Sequence, residues 1–172
     1  KDGSSAKVLV PQVYVRVLPG DINGNGALLS GRVSELNVNG TLTNSGTVAG
    51  RQAMRIDATT VDNINGRISA KNLIINALAD INNIGGSIDA SNNLLLQAGR
   101  NINNITTTTT NVNEQGSVTA LNRVAGIYIT GPENGVLLAQ AGNNININAA
   151  QLLNQSVGGQ TLLKAGNDIN LG

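Results

Sequence analysis

The aliphatic residues of this chain recur at intervals of about twenty positions. Three consecutive blocks, which begin at Gly46, Gly66 and Gly86, align with one another from end to end. Their shared apolar positions form columns, namely Val48 with Ile68 and Ile88, Met54 with Ile74 and Leu94, Ala58 with Leu78 and Ala98, and Val61 with Ile81 and Ile102. A period of about twenty residues is typical of a solenoid, in which each repeat buries its apolar face against its neighbours.

The local pattern inside each block predicts strands. Runs such as VSELNVNG from Val33 and NLIIN from Asn72 are short, alternating or β-branched, and lie between Gly and Asn. Asn, Gly and Thr at this density would weaken a helix. A leucine-rich repeat is the closest rival, but only VSELNV approaches its LxxLxL pattern. We therefore predict an all-β parallel β-helix, a solenoid whose coils of about twenty residues pair at roughly 4.8 Å.

Gly and Asn recur between the predicted strands. Both residues tolerate left-handed backbone angles that others resist, which predicts that they form the corners of the coils. The side-chain amides of Asn can also hydrogen-bond from one coil to the next, as in other stacked-strand assemblies.

The period breaks after the third block. The sequence AGxxI recurs at Gly99, Gly142 and Gly166, but the first interval is 43 residues and the second is 24. The first interval therefore holds about one coil too many. We expect an extra-helical β excursion in which residues 105–112 and 124–130 form two strands that pair with each other or with the flank of the rod.

These breaks divide a single β-helical segment, residues 1–172, into four parts. Residues 1–25 are off-period and carry a strand pattern bounded by Pro11 and Pro19. The other predicted parts are regular coils over residues 26–105, a β excursion or hairpin over residues 106–130, and further coils over residues 131–172.

Composition restricts the chemistry that the chain can perform. The 172 residues include no His and no Cys, and the absence of Cys excludes disulfides and thiolate metal sites. The 11 Lys and Arg nearly cancel the 10 Asp and Glu, which argues against a nucleic-acid partner. No apolar run approaches the roughly 18 residues of a membrane span, and the first ten residues lack the apolar core of a signal peptide. We expect any secretion signal to lie on a longer parent chain.

Parallel β-helices include polysaccharide-degrading enzymes, whose sites need carboxylates converging on one face. In this chain no two acidic residues share a column. Asp80 and Arg100 do share one, which predicts a surface ion pair worth little. GGSIDA from Gly85 is the nearest approach to a calcium-binding repeat, but it occurs once and has the wrong spacing. We therefore predict no catalytic residue, no metal, no cofactor and no enzymatic activity.

Five consecutive threonines, Thr106–Thr110, lie in the predicted excursion. A flat array that binds ice or glycans needs Thr at one position of successive coils, and this run is a single line. A solvated excursion is therefore favoured. If the excursion instead contacts a receptor or glycan, the candidate contact residues are Thr106, Thr107, Thr108, Thr109, Thr110, Glu114, Arg123 and Tyr128.

Several motifs, in their order, resemble a known family. GRISAKNLIINALADINNIGGSIDASNNLLLQAGRNI, from Gly66, is similar to the haemagglutinin repeats of filamentous-haemagglutinin-like exoproteins, which Gram-negative bacteria secrete by the two-partner route. The wider order resembles contact-dependent growth-inhibition exoproteins. It runs from PQVYV at Pro11 through GALLSG, TLTNSGTVAG and the Thr run to RVAGIYI and LLAQAGNNI.

This resemblance implies a right-handed β-helical rod, secreted to the surface of a Gram-negative bacterium through an outer-membrane barrel transporter and continued by flanking repeats. In that family the rod displays an adhesive tip or carries a carboxy-terminal toxin to a neighbouring cell. We therefore expect a structural stalk segment of a large exoprotein used in adhesion or toxin delivery. A receptor- or glycan-binding module is the alternative, and a polysaccharide-degrading enzyme is the least favoured reading.

Overall fold

The computed structural model describes residues 26–113 and 116–172. The strand region predicted over residues 1–25 and the candidate residue Glu114 lie outside the described residues. Within them the chain forms strands and no helix. The strands are β1 (Leu28–Asn44), β2 (Thr47–Ile64), β3 (Arg67–Ala77), β4 (Ile81–Ile84), β5 (Ser87–Ala98), β6 (Ile102–Ile105), β7 (Thr107–Asn113), β8 (Gly116–Arg123), β9 (Gly126–Ile129), β10 (Val136–Ala141), β11 (Ile145–Asn148), β12 (Gln151–Asn154), β13 (Gln160–Ala165) and β14 (Ile169–Leu171).

Parallel pairing joins these strands into three ladders along the rod. The first ladder contains the starts of β1, β2, β3 and β5, followed by β9 and β12. The second contains later parts of the same four strands, followed by β10 and β13. The third contains the ends of β1 and β2, followed by β4, β6, β11 and β14. The fold is therefore a parallel β-solenoid, as predicted, with six stacked strands in each ladder.

The core lies between the three ladders and consists of stacked aliphatic side chains. Two of the predicted columns are confirmed, because their residues pair from coil to coil and are buried. With the coil that follows, these columns are Val48, Ile68, Ile88 and Ile127 in the first ladder and Val61, Ile81, Ile102 and Ile145 in the third.

The second ladder differs from the sequence alignment by one residue. Met54 pairs with Leu73 rather than Ile74, and Leu73 pairs with Leu94. Leu73 is buried, whereas Ile74 lies half-buried on the outer face. The same slip removes Leu78 from its predicted column, and its side chain is 80% exposed. A shift of one residue moves every side chain of a strand to the opposite face, so the predicted columns through Ile74 and Leu78 are wrong.

The slip arises at the corner between the first and second ladders. β2 has two residues at this corner, Arg51 and Gln52, and β5 also has two, Ser91 and Asn92. β3 has only Lys71 there. The blocks have equal lengths because β3 is followed by a longer corner before β4. An alignment without gaps cannot show a deletion and an insertion that compensate each other within one coil.

A ladder of buried asparagine side chains crosses four coils at the end of the third ladder. The Nδ2 of Asn44 donates to the Oδ1 of Asn63 at 2.7 Å, Asn63 donates to Asn83 at 2.7 Å, and Asn83 donates to Asn104 at 2.8 Å. All four residues are buried. The Nδ2 of Asn83 also donates to the carbonyl oxygen of Gly86 at 2.9 Å, which fixes the orientation of the amide. The predicted amide bonds between coils are therefore confirmed.

A second amide ladder runs along the outer face and donates in the opposite direction. The Nδ2 of Asn82 donates to the Oδ1 of Asp62 at 2.7 Å, and Asn103 donates to Asn82 at 2.7 Å. Asn146 donates to Asn103 at 2.7 Å, and Asn170 donates to Asn146 at 2.8 Å. Because a carboxylate can only accept, Asp62 fixes the direction of the whole outer ladder.

Gly66 and Gly86 stand at the beginning of their coils because the buried asparagine amides leave no room for a side chain there. A Cβ on Gly66 would lie 2.5 Å from the Nδ2 of Asn44 and 2.6 Å from the Oδ1 of Asn63. A Cβ on Gly86 would lie 2.5 Å from the Nδ2 of Asn63 and 2.7 Å from the Oδ1 of Asn83. Neither glycine has a positive φ. Close approach, rather than the left-handed backbone expected at a corner, therefore requires glycine here.

The AGxxI motif marks another corner at which successive coils touch. A Cβ on Gly142 would lie 2.1 Å from the carbonyl oxygen of Gly99, and a Cβ on Gly166 would lie 1.9 Å from that of Gly142. The predicted ion pair between Asp80 and Arg100 is present beside this corner. The motif thus recurs because each coil packs its main chain directly on the coil before it.

The corrected register gives a first test. Leu73→Ala should lower the free energy of unfolding by about 2–5 kcal/mol, because it removes a fully buried side chain and leaves a cavity. Ile74→Ala, one position away on the outer face, should lower it by clearly less. Urea unfolding followed by far-UV circular dichroism compares the two. A larger loss for Ile74→Ala would support the ungapped alignment instead.

The buried ladder gives a second test. Asn83→Ala should lower the free energy of unfolding by about 1–3 kcal/mol, because it leaves buried polar groups on the adjacent coils without partners. Asn82→Ala interrupts the outer ladder, whose groups reach water, and should cost no more than about 1 kcal/mol. The measurement is the same urea titration, and equal losses for the two variants would contradict the structural role assigned to the buried amides.

A hairpin and the cleft at its base as the candidate functional site

Strands β7 and β8 leave the solenoid as an antiparallel hairpin. They form a separate two-stranded sheet in which Thr108 pairs with Leu121 and Thr110 pairs with Thr119. The hydroxyl oxygens of Thr110 and Thr119 lie 2.8 Å apart, within hydrogen-bond distance. No other described strand pairs with this sheet. An isolated two-stranded hairpin is marginally stable in water, and both of its edges are open to a partner.

The second strand of the predicted excursion was placed too late in the sequence. It was expected at residues 124–130, but β8 ends at Arg123 and β9 lies in the first ladder, paired with β5 and β12. Ile127 and Ile129 in β9 point into the core and are fully buried. Gly126 takes the place that Gly86 has in the preceding coil. Because of the insertion, this coil start lies 40 residues after Gly86 instead of about twenty, which hid the match.

The residues named as a possible contact surface are divided between three environments. Thr108, Thr109, Thr110 and Arg123 are exposed on the hairpin, and Thr107 is half-buried at its base. Thr106 is only 7% exposed and belongs to the solenoid. Their role in contact with a receptor or glycan stays a prediction.

Thr106 fastens the base of the hairpin to the solenoid. Its N–H donates to the carbonyl oxygen of Asn148 at 3.1 Å, and its hydroxyl donates to the carbonyl oxygen of Ala149 at 2.6 Å. The hydroxyl also accepts from the N–H of Ala125 at 3.0 Å, and Ala125 is fully buried. One side chain therefore joins the strand that enters the hairpin, the strand that leaves it and the following coil.

Tyr128 lies on the outer face of the first ladder, in the coil that resumes after the hairpin. Its ring covers Gly126, where a Cβ would lie 2.0 Å from the ring. Its hydroxyl donates to the Oε1 of Gln151 at 2.9 Å. Burial raises the pKa of the Tyr128 phenol, and the negative charge of Asp89 raises it further. Asp89 is itself paired with Arg67 at 2.9 Å.

A cleft of about 300 Å³ lies where the hairpin meets the solenoid. Its floor consists of three successive coil starts, at residues 46–47, 65–67 and 85–87, and its wall consists of Arg123 and Val124. The Oδ1 atom of Asn65 is shielded from solvent and has no hydrogen-bond partner. Arg123 makes no ion pair in the described part of the chain.

The sequence did not reveal this cleft. The sequence pattern predicts corners at residues 65–66 and 85–86 and names Arg123 as a candidate contact residue of the excursion, but it does not bring them together. The available signal was the dipeptide pattern, because Asn-Gly and Gly-Gly occupy the same corner of adjacent coils. Asn65 and Gly85 do adopt the positive φ angles, 57° and 60°, that such dipeptides favour. The position of the returning strand beside this corner could not be inferred, because the predicted boundaries of the hairpin were wrong.

Within residues 26–113 and 116–172, no three His, Cys, Asp or Glu side chains are grouped so that they could hold a metal ion. In the same ranges no helix could cross a membrane.

Three curated proteins are similar to this chain over most of its length. The tRNA nuclease CdiA of Escherichia coli O6:K15:H31 (strain 536 / UPEC) is 34% identical over 178 residues, which cover 95% of this chain and 5% of that protein. The tRNA nuclease CdiA of Escherichia coli strain NC101 is 34% identical over 177 residues, with the same coverage. The 16S rRNA endonuclease CdiA of Enterobacter cloacae subsp. cloacae is 35% identical over 154 residues, 84% of this chain and 4% of that protein.

The chain therefore spans about 5% of the length of the curated relatives that it matches. No family model matches the sequence. No solved structure matches it either.

The names of these relatives contradict the prediction that the protein is not an enzyme. All three are named for nuclease activities, on tRNA or on 16S rRNA. The prediction was drawn from this segment alone, whereas those names describe proteins of which the segment is a small part. The expectation that nucleic acid is not a partner stays a prediction.

The role of Thr106 gives a third test. Thr106→Val keeps the shape of the side chain but leaves the buried N–H of Ala125 without an acceptor, so the free energy of unfolding should fall by about 1–3 kcal/mol. Thr108→Val, on the exposed face of the hairpin, should change it by no more than about 0.5 kcal/mol. Hydrogen exchange of the Ala125 amide should also become faster in Thr106→Val only. Equal stability of the two variants would contradict the anchoring role.

Proposed function

The chain is homologous, over nearly its whole length, to one segment of the CdiA contact-dependent growth inhibition exoproteins, and on that premise we propose that it is a stalk segment of a large secreted surface protein. The observation that carries this proposal is the continuity of the three ladders. Each inner strand of a ladder pairs with the coils before and after it. Such a fold lengthens by a constant step for every coil added, which suits a spacer.

The dimensions of the segment follow from the strand spacing. Six stacked strands are separated by five steps of about 4.8 Å, so the described coils rise by roughly 24 Å. A relative about twenty times longer than the segment has room for many more such coils. The role of the segment is then to set a distance between the cell surface and whatever the distal part of the protein contacts.

The proposed parent protein leaves a Gram-negative cell through an outer-membrane barrel transporter and is held at the cell surface. Its flanking repeats stack on both ends of this segment. The parent also delivers a nuclease to a neighbouring cell, as the names of the relatives suggest for a protein of this kind. Folding outside the cell would help to draw the chain outward, because each new coil buries aliphatic side chains on the coil already formed.

A second candidate function is a receptor- or glycan-binding module, and the hairpin favours it. On one face of the hairpin, Val112 and Leu121 are 77% and 63% exposed, and the paired residues Thr110 and Thr119 lie between them. A spacer needs neither this projection nor the cleft at its base. Binding through this region is compatible with the stalk role, because the hairpin leaves the ladders on both sides of it continuous.

The two functions are separated by an exchange experiment in the Escherichia coli O6:K15:H31 relative. Its matched segment is replaced by this chain, by this chain with Ile68→Asp, or by this chain with residues 107–123 replaced by two glycines. The stalk proposal predicts that the intact and shortened chimeras reach the cell surface and inhibit target cells. The Ile68→Asp chimera should be displayed poorly, because a charge is buried in the first ladder.

Surface display is measured with an antibody against a distal tag, and inhibition is measured by co-culture with target cells. Normal display of the Ile68→Asp chimera would overturn the stalk proposal. A shortened chimera that is displayed normally but no longer adheres to target cells would establish the binding module in addition. An Ile74→Asp chimera, altered on the outer face, is the matched control for the introduced charge.

A further inference from the structure

The hairpin formed by β7 and β8 adds nothing to the core of the rod. Every side chain that the structure describes between residues 108 and 123 is exposed. No other described strand pairs with either edge of this sheet. A two-stranded sheet needs a third strand or a packed face to be stable in water. The hairpin therefore offers a place for a further strand, which the described part of the chain does not fill.

The free edge of β7 lacks the residues with which proteins usually protect an edge strand. Its seven residues, TTTTNVN, include no charged residue and no proline, whereas both are common on protected edges. The register irregularity of the hairpin lies at its base, between Thr107 and Thr108. The only charged residue of the two strands is Arg123, where β8 returns to the rod. The edge of β7 can therefore accept another strand without repulsion between charges.

The sequence of β7 is suited to pairing with a second copy of the same strand. In an antiparallel pair centred on Thr110, this residue faces Thr110 of the second copy, and Thr108 faces Val112. Threonine pairs across neighbouring strands stabilise a sheet. The hairpin already contains such a pair, because the hydroxyl oxygens of Thr110 and Thr119 lie 2.8 Å apart. The strand is therefore complementary to itself.

Such pairing also brings together apolar side chains that the single hairpin exposes. Thr108, Thr110 and Val112 are alternate residues and share one face of β7. Thr108 pairs with Leu121 on β8. Val112 of one copy then lies in the same cross-strand row as Leu121 of the other copy, with Thr108 between them. In the single hairpin Val112 and Leu121 are 77% and 63% exposed.

We propose that the hairpin pairs with the hairpin of a second copy of this chain, β7 against β7, in a four-stranded antiparallel sheet. The contact has two-fold symmetry, so both copies use the same surface. The rods also favour the antiparallel direction, because parallel strands would bring both rods to the same end of the sheet. Antiparallel strands place the rods at opposite ends, separated by the length of β7, about 23 Å.

This contact goes beyond both functions proposed for the segment, because its partner is a second copy of the chain rather than a receptor or a glycan. The ladders of each rod remain continuous, so the hairpins connect two stalks without changing either stalk. One pair of short strands buries less than the roughly 1,200 Å² of a stable interface. A single contact is therefore weak and reversible, and it becomes effective where several copies stand close together.

Sedimentation equilibrium of the full 172-residue chain, up to millimolar concentration, tests the contact. Thr110→Lys should weaken self-association about fivefold, because two like charges then face each other at the two-fold axis. Thr119→Lys is the matched control, since it removes the same hydroxyl pair and adds the same charge on β8. Its two lysines would stand three strand spacings apart, about 14 Å, where salt screens them, so association should be nearly unchanged.

A chain that stays monomeric at millimolar concentration would overturn the proposal. So would equal association of the two lysine variants, which would place the contact elsewhere, for example at the end coils of the rod. Both threonines are exposed, so both variants should keep the melting temperature of the unaltered chain.

A charge exchange identifies the residue on the two-fold axis. Thr110→Glu alone should also weaken self-association. An equimolar mixture of Thr110→Glu and Thr110→Lys should associate about fivefold more strongly than either variant alone, because opposite charges then face each other. A mixture of Thr119→Glu and Thr119→Lys should show no such gain. Absence of the gain at position 110, or an equal gain at position 119, would overturn the assigned pairing.

This outcome is independent of the stalk role. Self-association is measured on the isolated chain, whereas the stalk role is measured by surface display of the chimeras. Loss of the hairpin contact with normal display would reject the contact and leave the stalk role supported.

Discussion

Each buried asparagine amide of the ladder is hydrogen-bonded to the asparagine of a neighbouring coil, and the rest of the structure depends on that requirement. Asn63 and Asn83 both donate and accept along the ladder, so a coil that slipped by one residue would leave buried polar groups without partners. The aliphatic columns alone would tolerate some exchange between Ile, Leu and Val. The amides therefore fix the register between coils, and the aliphatic side chains pack in that register. Positions 66 and 86 require glycine because the amides occupy the space that a side chain would need.

The hairpin leaves the rod at the point where this requirement ends. Asn104 is the last member of the buried ladder, and Ile147 occupies its position in the next coil. The Nδ2 of Asn104 donates instead to the carbonyl oxygen of Gln151 at 2.8 Å. From there the corner is held by the hydroxyl of Thr106, which bonds to the main chain on both sides of the insertion. A long connection is tolerated here because the buried amide ladder does not have to continue through it. The cleft lies where this connection returns to the rod, at Arg123 and Val124.

The sequence predicted the features that repeat and missed those that depend on local exceptions. The solenoid, the columns through Ile68 and Ile81 and the amide bonds between coils all follow from side chains twenty positions apart. The position of Leu73 could not be predicted, because one corner is a residue short and the next is longer, so the spacing stays regular while the face changes. The second strand of the excursion was misplaced because GIYI was assigned to the insertion, although its two isoleucines continue the core. Nothing in the spacing indicated the cleft, which is formed by residues 46–47, 65–67, 85–87 and 123–124.

The opposite directions of the two amide ladders affect the rod as a whole. In the buried ladder the N–H bonds point towards the carboxyl end of the chain, and in the outer ladder they point towards the amino end. Hydrogen-bonded amides in a row have dipoles that add, as peptide dipoles do along an α-helix. Here the two sums oppose each other. The opposition holds over the coils that carry both ladders, up to Asn104, and beyond that point only the outer row continues, through Asn146 and Asn170.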